Sequence, residues 1–196
     1  MELAAETEYF GQKFSGTDFA TLFSAVRLAG YAFEDCVFEN CDFKGIALER
    51  INFLSCKFIS CDLSNAKLAN SRMRKISFET CKLIGIQWHL LEDFLSPSFK
   101  DCNLSYSNFT GIKLKKSLFS KCSLRDADLA QTDLAECDFR ESDFLNARFH
   151  DANLSKADFR GARNYVIDPS KNKIQAARFS MPEAQGLIIG LGVILD

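Results

Sequence analysis

The stretch from Cys122 to Phe159 reads CSLRDADLAQTDLAECDFRESDFLNARFHDANLSKADF and carries an apolar residue at every fifth position. These apolar positions are Leu124, Leu129, Leu134, Phe139, Phe144, Phe149, Leu154 and Phe159. A small residue precedes each of them by two places, in order Cys122, Ala127, Thr132, Cys137, Ser142, Ala147, Ala152 and Ala157. The stretch therefore repeats one five-residue unit without interruption.

A five-residue period is incompatible with both regular elements. In an α-helix of about 100° per residue, five residues rotate the apolar position by about 140° and spread it around the helix. In a flat strand, an odd period sends successive apolar residues to opposite faces. The remaining solution is a chain that runs extended for about three residues and then turns a corner. Self-similarity at a short period predicts a solenoid, in which neighbouring turns bury each other's apolar side chains.

The repeat resembles that of the pentapeptide-repeat family. The A(D/N)Lxx pattern of that family is matched by ADLAQ at 127–131 and by ANLSK at 152–156. The resemblance implies an all-β solenoid, a right-handed quadrilateral β-helix in which four repeats form one square coil of twenty residues. For this chain it implies about eight coils.

The repeat register divides the chain into parts. Residues 1–22 are less regular, because the step from Phe19 to Phe23 is four residues, and we expect an N-terminal cap and a partial coil there. Residues 23–179 are predicted to form the repeat β-helix, with a centre at every fifth residue up to Trp88 and again from Phe99. Near its end the register weakens and passes through Asn164, Pro169, Ile174 and Phe179.

The segment 89–98 interrupts the register, which resumes shifted by one residue. One interpretation is a bulge or a degenerate rung in a continuous coil. The other is a projecting element in which Glu92 and Asp93 lie among apolar residues such as Phe94, a combination suited to a partner surface.

The tail, residues 180–196, changes character. SMPE at 180–183 has the form of a capping box and predicts a short helix to about Ile189, ended by the glycines at 190 and 192. VIL at 193–195 then predicts a short strand. The tail could fold as a lid, but it holds more apolar side chains than a lid needs, which favours an interface between two copies of the chain. The predicted dimerisation residues are Leu187, Ile188, Leu191, Val193, Ile194 and Leu195.

The eight cysteines all occupy the small inward position of a repeat. We interpret them as small buried residues that fill space, not as metal ligands, and we expect no cofactor. Pairs twenty residues apart, such as Cys41 and Cys61, are expected to stack about 4.8 Å apart on adjacent coils.

The composition fits one soluble domain, with 196 residues, 47% hydrophobic residues and only three prolines. The N-terminus has neither a basic region nor an apolar signal stretch, and no apolar run approaches transmembrane length. We therefore expect a cytoplasmic protein that does not contact a membrane.

The sequence contains no nucleotide-binding loop, no metal-ligand cluster and no nucleophile with a base at motif spacing. His89 near Glu92 is the one candidate for acid–base chemistry, and a single histidine near carboxylates is more often solvated than catalytic. We expect a protein that is not an enzyme and acts through its surface. Acids outnumber bases by eight to three between Arg125 and Asp151, and these acids either serve the fold and its solubility or form a contact surface.

A closer resemblance bears on function. Segments 33–36, 41–43, 83–88, 164–168 and 177–184 are similar, in this order, to the microcin-immunity and Qnr quinolone-resistance branch of the family. This resemblance implies a homodimer joined through its C-terminal tails that binds DNA gyrase or topoisomerase IV and protects it from a peptide toxin or a quinolone. It also implies an acidic surface that partly mimics DNA. The net charge is −2. A duplex about 38 Å long carries about 22 negative charges, so any mimicry is limited to a local acidic patch.

The candidate contact surfaces are the interruption and the acidic stretch. The predicted partner-binding residues are Trp88, His89, Glu92, Asp93, Phe94, Asp126, Asp128, Asp133, Glu136, Asp138, Glu141 and Asp143. We expect no direct binding of nucleic acid. The alternative function is a general scaffold or regulator of another protein, which the same repeat fold would serve equally well.

Overall fold

In the computed structural model, which describes residues 8–19 and 30–193, the chain winds as a parallel β-solenoid of about eight turns. Segments one turn apart pair in parallel, and Phe33 lies beside Phe53 in this register. The predicted all-β solenoid is therefore confirmed. Expectations that concern residues 1–7, 20–29 and 194–196, including the centre Phe23 and the tail residues Ile194 and Leu195, lie outside the described residues.

The strands are short and belong to two sides of the tube. They are β1 (Glu8–Phe10), β2 (Lys13–Ser15), β3 (Ala32–Glu34), β4 (Val37–Glu39), β5 (Asn52–Leu54), β6 (Lys57–Ile59), β7 (Arg72–Arg74), β8 (Ser77–Glu79), β9 (Asp93–Leu95), β10 (Ser98–Lys100), β11 (Leu118–Ser120), β12 (Asp158–Phe159) and β13 (Arg178–Phe179). One sheet has the order β1-β3-β5-β7-β9, another β2-β4-β6-β8-β10-β11, and β12 pairs with β13. A 3-10 turn (Trp88–Leu90) and the helix α1 (Gln185–Gly190) complete the described elements.

The tube has four faces, and we number them in the order in which the described chain meets them. The first face is centred on Tyr9, Phe33, Phe53, Met73, Phe94, Leu114, Leu134, Leu154 and Ile174. The second is centred on Phe14, Phe38, Phe58, Phe78, Phe99, Phe119, Phe139, Phe159 and Phe179. The third is centred on Phe19, Phe43, Leu63, Leu83, Leu104, Leu124 and Phe144. The fourth is centred on Leu48, Leu68, Trp88, Phe109, Leu129 and Phe149.

The core is a ladder of side chains from these centres. On the second face the phenylalanine rings stack without a gap from Phe14 to Phe179, with successive centroids 4.7 to 5.3 Å apart. Rings on adjoining faces meet edge to face, as Phe38 and Phe43 do at 5.5 Å. Such offset and edge contacts are the favoured aromatic geometries, so the five-residue spacing fills the tube by itself.

The corners depend on residues with a left-handed backbone. Asn65, two places after the centre Leu63, has a φ of 57° and lies in a four-residue turn closed by the hydrogen bond from the Ala66 amide to the Leu63 carbonyl, at 3.0 Å. Asparagine, aspartate and glycine adopt this conformation at low cost. The polar residue before each centre assists: Asp62 Oδ1 accepts a hydrogen bond from the Ser64 amide at 2.9 Å, which fixes the chain before the corner.

The N-terminal end of the described tube keeps the five-residue register, whereas the C-terminal end departs from it. Strands β1 and β2 pair with β3 and β4, with Tyr9 beside Phe33 and Phe14 beside Phe38, so residues 8–19 lie in a coil, in line with the partial coil expected within residues 1–22. At the other end Asn164 is exposed, while Tyr165 and Ile167 are buried in the core. The chain leaves the register there because apolar residues must close the last coil.

The tail also differs from the prediction. The helix α1 is confirmed in position, but Ser180 is not its N-cap, because Ala184 precedes the helix and makes no side-chain capping bond. The Ser180 hydroxyl instead accepts a hydrogen bond from the Gly161 amide at 2.9 Å and ties the tail to the last coil. Val193 lies in no described strand, and Ile194 and Leu195, which complete the predicted strand, lie outside the described residues.

Candidate interaction surface

The interruption after Trp88 is one extra residue taken up at a corner. The chain forms a single 3-10 turn, closed by the hydrogen bond from the Leu91 amide to the Trp88 carbonyl at 3.1 Å. Strand β9 then returns to the first face, where Asp93 lies beside Arg72. The interruption is thus a bulge and not a projecting loop, and the regular strands resume with β9 and β10.

Two residues predicted to contact a partner are core residues instead. Trp88 has no exposed surface, and Phe94 is 7% exposed. Their rings are stacked at 5.0 Å, and the Trp88 indole nitrogen donates a hydrogen bond to the Ser107 hydroxyl at 3.3 Å. Because both side chains fill the tube, neither can reach a partner, and we remove them from the candidate surface.

Glu92 and Asp93 face outward but already have partners. Glu92 forms an ion pair with Arg72, and Asp93 forms one with Arg74, on the first face one coil below. The hydrogen bond from Arg72 lowers the pKa of Glu92. Since its carboxylate is held by Arg72, Glu92 does not form an acid–base pair with the exposed His89.

The acidic residues between 126 and 143 do not form a patch. They occupy almost one full turn of the tube: Asp128 lies on the fourth face, Asp133 on the first, Asp138 on the second and Asp143 on the third. Asp126, Glu136 and Glu141 lie at corners with φ values of 56°, 60° and 61°. Residues that point in four directions cannot all meet one partner surface, so the acidic patch predicted from the linear sequence is wrong.

The aspartates of this turn serve the fold. Each accepts a hydrogen bond from the amide two residues on, at 3.1 Å in the pair of Asp128 and Ala130 and at 3.2 Å in the pair of Asp133 and Ala135. Asp138 and Asp143 repeat the arrangement. This turn chemistry explains why the repeat places a polar residue just before each centre.

Basic residues one coil away neutralise much of the acidic turn. Glu136 lies 3.2 Å from Lys115 and 3.7 Å from Lys116, and Lys121 lies 3.8 Å from Glu141. The hydrogen bond from Lys115 lowers the pKa of Glu136. The basic run 113–121 thus stacks against the acidic run that follows it, and a continuous DNA-like acidic strip does not form, which removes DNA mimicry from the candidate mechanism.

Ion pairs are also unevenly distributed around the tube. Between residues 41 and 127 of the described chain, the ion-paired residues lie on the first and second faces or at their corners. On the fourth face, the outward positions of the two rungs centred on Trp88 and Phe109 carry no acid, lysine or arginine, and the corners on either side of these rungs expose Tyr106 at 63% and Leu90 at 46%. The signal for Tyr106 in the sequence is an aromatic residue two places after a repeat centre, whereas the other described corner residues with a positive φ are polar or charged residues, glycine and alanine.

The C-terminal tail presents an apolar surface. Ile188, Leu191 and Val193 are 40%, 55% and 48% exposed, whereas Leu187 packs against the core. Helix α1 approaches the last coil very closely at Gly186, since a Cβ atom there would lie 2.1 Å from the Tyr165 carbonyl oxygen. The helix therefore has one side fitted to the tube and one side open to solvent.

The cysteines form columns inside the tube. All eight are buried and none forms a disulfide, and the thiols donate to backbone carbonyls, as Cys61 does to Phe38 at 3.3 Å. Burial raises the pKa of Cys56 to about 12, which keeps that thiol protonated. In the part of the chain that the structure describes, no group of three or more metal-ligating side chains comes together.

None of the helices found between residues 8 and 19 or between 30 and 193 has the length and apolar character needed to cross a bilayer.

Comparison with known proteins agrees with this architecture. A model of the pentapeptide repeat region matches residues 31–109, and a model of eight pentapeptide repeats matches residues 122–161. The chain belongs to the pentapeptide-repeat family. No curated protein sequence matches it.

Solved structures share the fold. A trypsin-treated variant of QnrB1, described as a plasmid-mediated fluoroquinolone resistance protein, is 22% identical with a TM-score of 0.63, over 96% of this chain and 97% of the other. HetL, a pentapeptide repeat protein involved in regulating heterocyst differentiation in the cyanobacterium Nostoc sp. strain PCC 7120, is 14% identical with a TM-score of 0.59, over 88% of this chain and 86% of the other. At these identities the likeness establishes the fold alone.

Proposed function

We propose that the protein is a non-enzymatic topoisomerase-interacting protein that protects DNA gyrase or topoisomerase IV from a poison, either a peptide toxin or a quinolone. The observation that carries the proposal is the end-to-end likeness to QnrB1, which extends over 96% of the chain. The sequence resemblance to the microcin B17 immunity protein McbG in segments 33–36, 41–43, 83–88, 164–168 and 177–184 supports it. Because side chains fill the interior of the tube, its outer surface is the part that can contact a partner.

The test is a gyrase supercoiling and DNA-cleavage assay in the presence of a quinolone or a gyrase-poisoning peptide. Adding the protein should restore supercoiling and reduce cleaved complexes at sub-stoichiometric to few-fold molar excess. A parallel assay with topoisomerase IV separates the two targets. If neither enzyme is protected from either poison, the proposal is wrong. A gel-shift control with duplex DNA should show no binding, because binding of DNA by the protein would alter cleavage without contacting the enzyme.

A second candidate is a scaffold or regulator of another protein, with no role at topoisomerases. It is favoured by the likeness to HetL, which is comparable to that of the QnrB1 variant in TM-score. Affinity capture followed by mass spectrometry would distinguish the candidates. Recovery of a stoichiometric partner other than a topoisomerase, together with no protection in the cleavage assay, would favour the scaffold.

The exposed side chains of the tail support a homodimer within this proposal. Ile188, Leu191 and Val193 form an apolar surface at one end of the rod, where two copies can meet around a two-fold axis. Light scattering should give about twice the 22.1 kDa chain mass, and Leu191→Asp should halve it. Leu95→Asp is the matched control, since Leu95 is 50% exposed but lies on the first face. A wild-type particle of one chain mass would contradict the dimer.

A further inference from the structure

In the middle of the rod, the first face and two rungs of the fourth face differ in charge. On the first face, Arg72, Arg74, Glu92 and Asp93 form ion pairs between successive coils. On the fourth face, the two rungs centred on Trp88 and Phe109 carry no acid, lysine or arginine in their outward positions. The outward residues of these two rungs, with the corner residues beside them, are Gln87, His89, Leu90, Tyr106, Asn108 and Thr110, which we call the neutral surface.

The neutral surface combines residues of two successive coils. Gln87 and Asn108 lie side by side in the parallel register, and Asn108 Oδ1 accepts a hydrogen bond from the Thr110 amide at 2.9 Å. Tyr106 lies at one corner of the surface and Leu90 at the opposite corner. Two large exposed side chains thus flank a strip of neutral polar groups.

Tyr106 is unusual for its position. Its φ is 60°, and it is the only aromatic residue among the described residues with a positive φ. One coil away on the same corner are Gly85 and Asp126, residue types that adopt this backbone more easily. The tube does not use the Tyr106 ring, which is 63% exposed. A bulky residue kept in a left-handed corner with its ring in solvent therefore indicates a contact outside the tube.

We propose that the neutral surface is the contact site for the partner protein, and that Tyr106 inserts into an uncharged, partly apolar pocket of that partner. The inference rests on the proposed function and specifies which part of the rod meets the enzyme. The lack of charge indicates what kind of surface the partner offers. A strip without lysine or arginine lacks the cations that a nucleic acid requires. A strip without acids does not attract a basic DNA-binding groove, so an uncharged surface of the enzyme is the complementary one. Interface centres are depleted of charge and rich in tyrosine, as this surface is.

The contact should therefore be insensitive to salt. An electrostatic contact weakens steeply as salt rises, whereas burial of apolar and neutral groups does not. The dissociation constant of the wild-type protein for DNA-free gyrase, measured between about 50 mM and about 200 mM salt, should change by less than about threefold. A fall in affinity of about tenfold or more over this range would overturn the proposal in favour of a charged contact.

The decisive variant is Tyr106→Asn, because asparagine occupies other corners, Asn65 and Asn146, with the same backbone conformation. The tube should fold as before, with an unchanged circular dichroism spectrum and melting temperature. The control is Lys75→Asn, at the diagonally opposite corner with a φ of 53°. In the quinolone cleavage assay, Tyr106→Asn should raise the concentration for half-maximal protection about tenfold, the loss typical of a tyrosine that fills a pocket of its partner. The control should change it less than about twofold.

The outcomes separate the two proposals. If the wild-type protein protects gyrase or topoisomerase IV and Tyr106→Asn protects equally well, the neutral surface is not the contact and the proposed function stands. If the wild-type protein protects neither enzyme, the proposed function fails and this inference fails with it. Equal losses in Tyr106→Asn and Lys75→Asn would also overturn the inference, since the contact would then not be confined to one edge of the rod.

Discussion

The regular coils up to Phe159 and the end of the tube beyond it cover the same core in different ways. Within the regular coils each second-face ring lies between two others, as Phe99 lies 5.3 Å from Phe78 and 4.9 Å from Phe119. Phe179 has one stacked ring below it, Phe159 at 5.2 Å, and is only partly buried. Its open side is closed by residues outside the repeat, chiefly Tyr165 and helix α1. The side chain at a repeat centre is therefore fully covered by the repeat fold only where another coil follows.

The largest expected effect tests the stacking itself. Phe99→Ala should lower the free energy of unfolding by about 3–5 kcal/mol, because it leaves a cavity between two rings that cannot close it. Phe179→Ala should lower the free energy of unfolding by clearly less, because the Phe179 side chain is partly exposed and has no ring above it. Denaturant titration of both variants measures the difference. Equal losses would mean that the end of the tube is packed as tightly as its middle.

The next effect concerns the joint between the two regions. Asp143 Oδ1 accepts hydrogen bonds from Asn164 Nδ2 at 2.8 Å and from the Leu145 amide at 3.2 Å, so it fixes the chain where it leaves the register. Asp143→Ala should cost about 1.5–3 kcal/mol, as expected for hydrogen bonds to a charged group. Asp128→Ala, which removes the equivalent aspartate from a regular coil, is the control and should cost less. An equal cost in the two variants would show that Asp143 has no special role at the joint.

This effect should depend on pH. Burial alone would raise the pKa of Asp143, but the hydrogen bonds from Asn164 and Leu145 and the charge of Arg163 outweigh it and lower the pKa. The stabilisation is therefore complete above the unfolded-state value of about 3.9 and is lost as pH falls through the lower folded-state value. The stability difference between the wild type and Asp143→Ala should shrink between about pH 4 and about pH 2. A difference that does not change with pH would contradict the assignment.

A smaller effect is expected where the helix docks. Gly186→Ala places a methyl group 2.1 Å from the Tyr165 carbonyl oxygen, so α1 must shift away from the last coil. The cost should be about 1–3 kcal/mol, confined to the end of the tube. Hydrogen exchange should therefore accelerate in residues 185–190 and stay unchanged in the coils. Gln185→Ala, on the exposed side, should leave the exchange rates as they are; acceleration throughout the coils would show that the end and the middle unfold together.

The smallest expected effect comes from removing a buried hydroxyl at Tyr165, which we compare with the buried hydroxyl of Ser107. The Tyr165 hydroxyl is buried without a hydrogen-bond partner among the described residues, and burial, with the charge of Glu183, raises its pKa to about 12. Tyr165→Phe should leave stability unchanged or increase it by less than about 1 kcal/mol. In the regular coils Ser107 accepts from Trp88 and donates to the Leu83 carbonyl at 3.1 Å, so Ser107→Ala should be destabilising. Thermal melts compare the two; destabilisation by Tyr165→Phe would show that the hydroxyl has a partner.

Much of the fold was predictable, whereas most of the candidate site was not. The centres from Phe33 to Phe159, the stacked cysteines and the position of α1 follow from a local period, and the structure confirms them. Trp88 was misassigned to a partner surface, because the chain regains the register within one 3-10 turn and keeps the indole inside. The exposure of Tyr106 depends on which corner of the tube it occupies, and the linear sequence does not show which residues of other coils surround that corner.

By itself the sequence determined the solenoid, its number of turns and the inward position of each centre, since a five-residue period of alternating small and large residues has one way to bury its apolar side chains. The tertiary structure alone decided which surface residues come together. One coil takes twenty residues and turns through all four faces, so residues adjacent in sequence point in different directions, while those a turn apart become neighbours. For this reason the acids around Asp133 lie on different faces, and Glu136 pairs with Lys115 from the preceding coil, whereas Tyr106, Gln87 and His89 come together along one side of the tube.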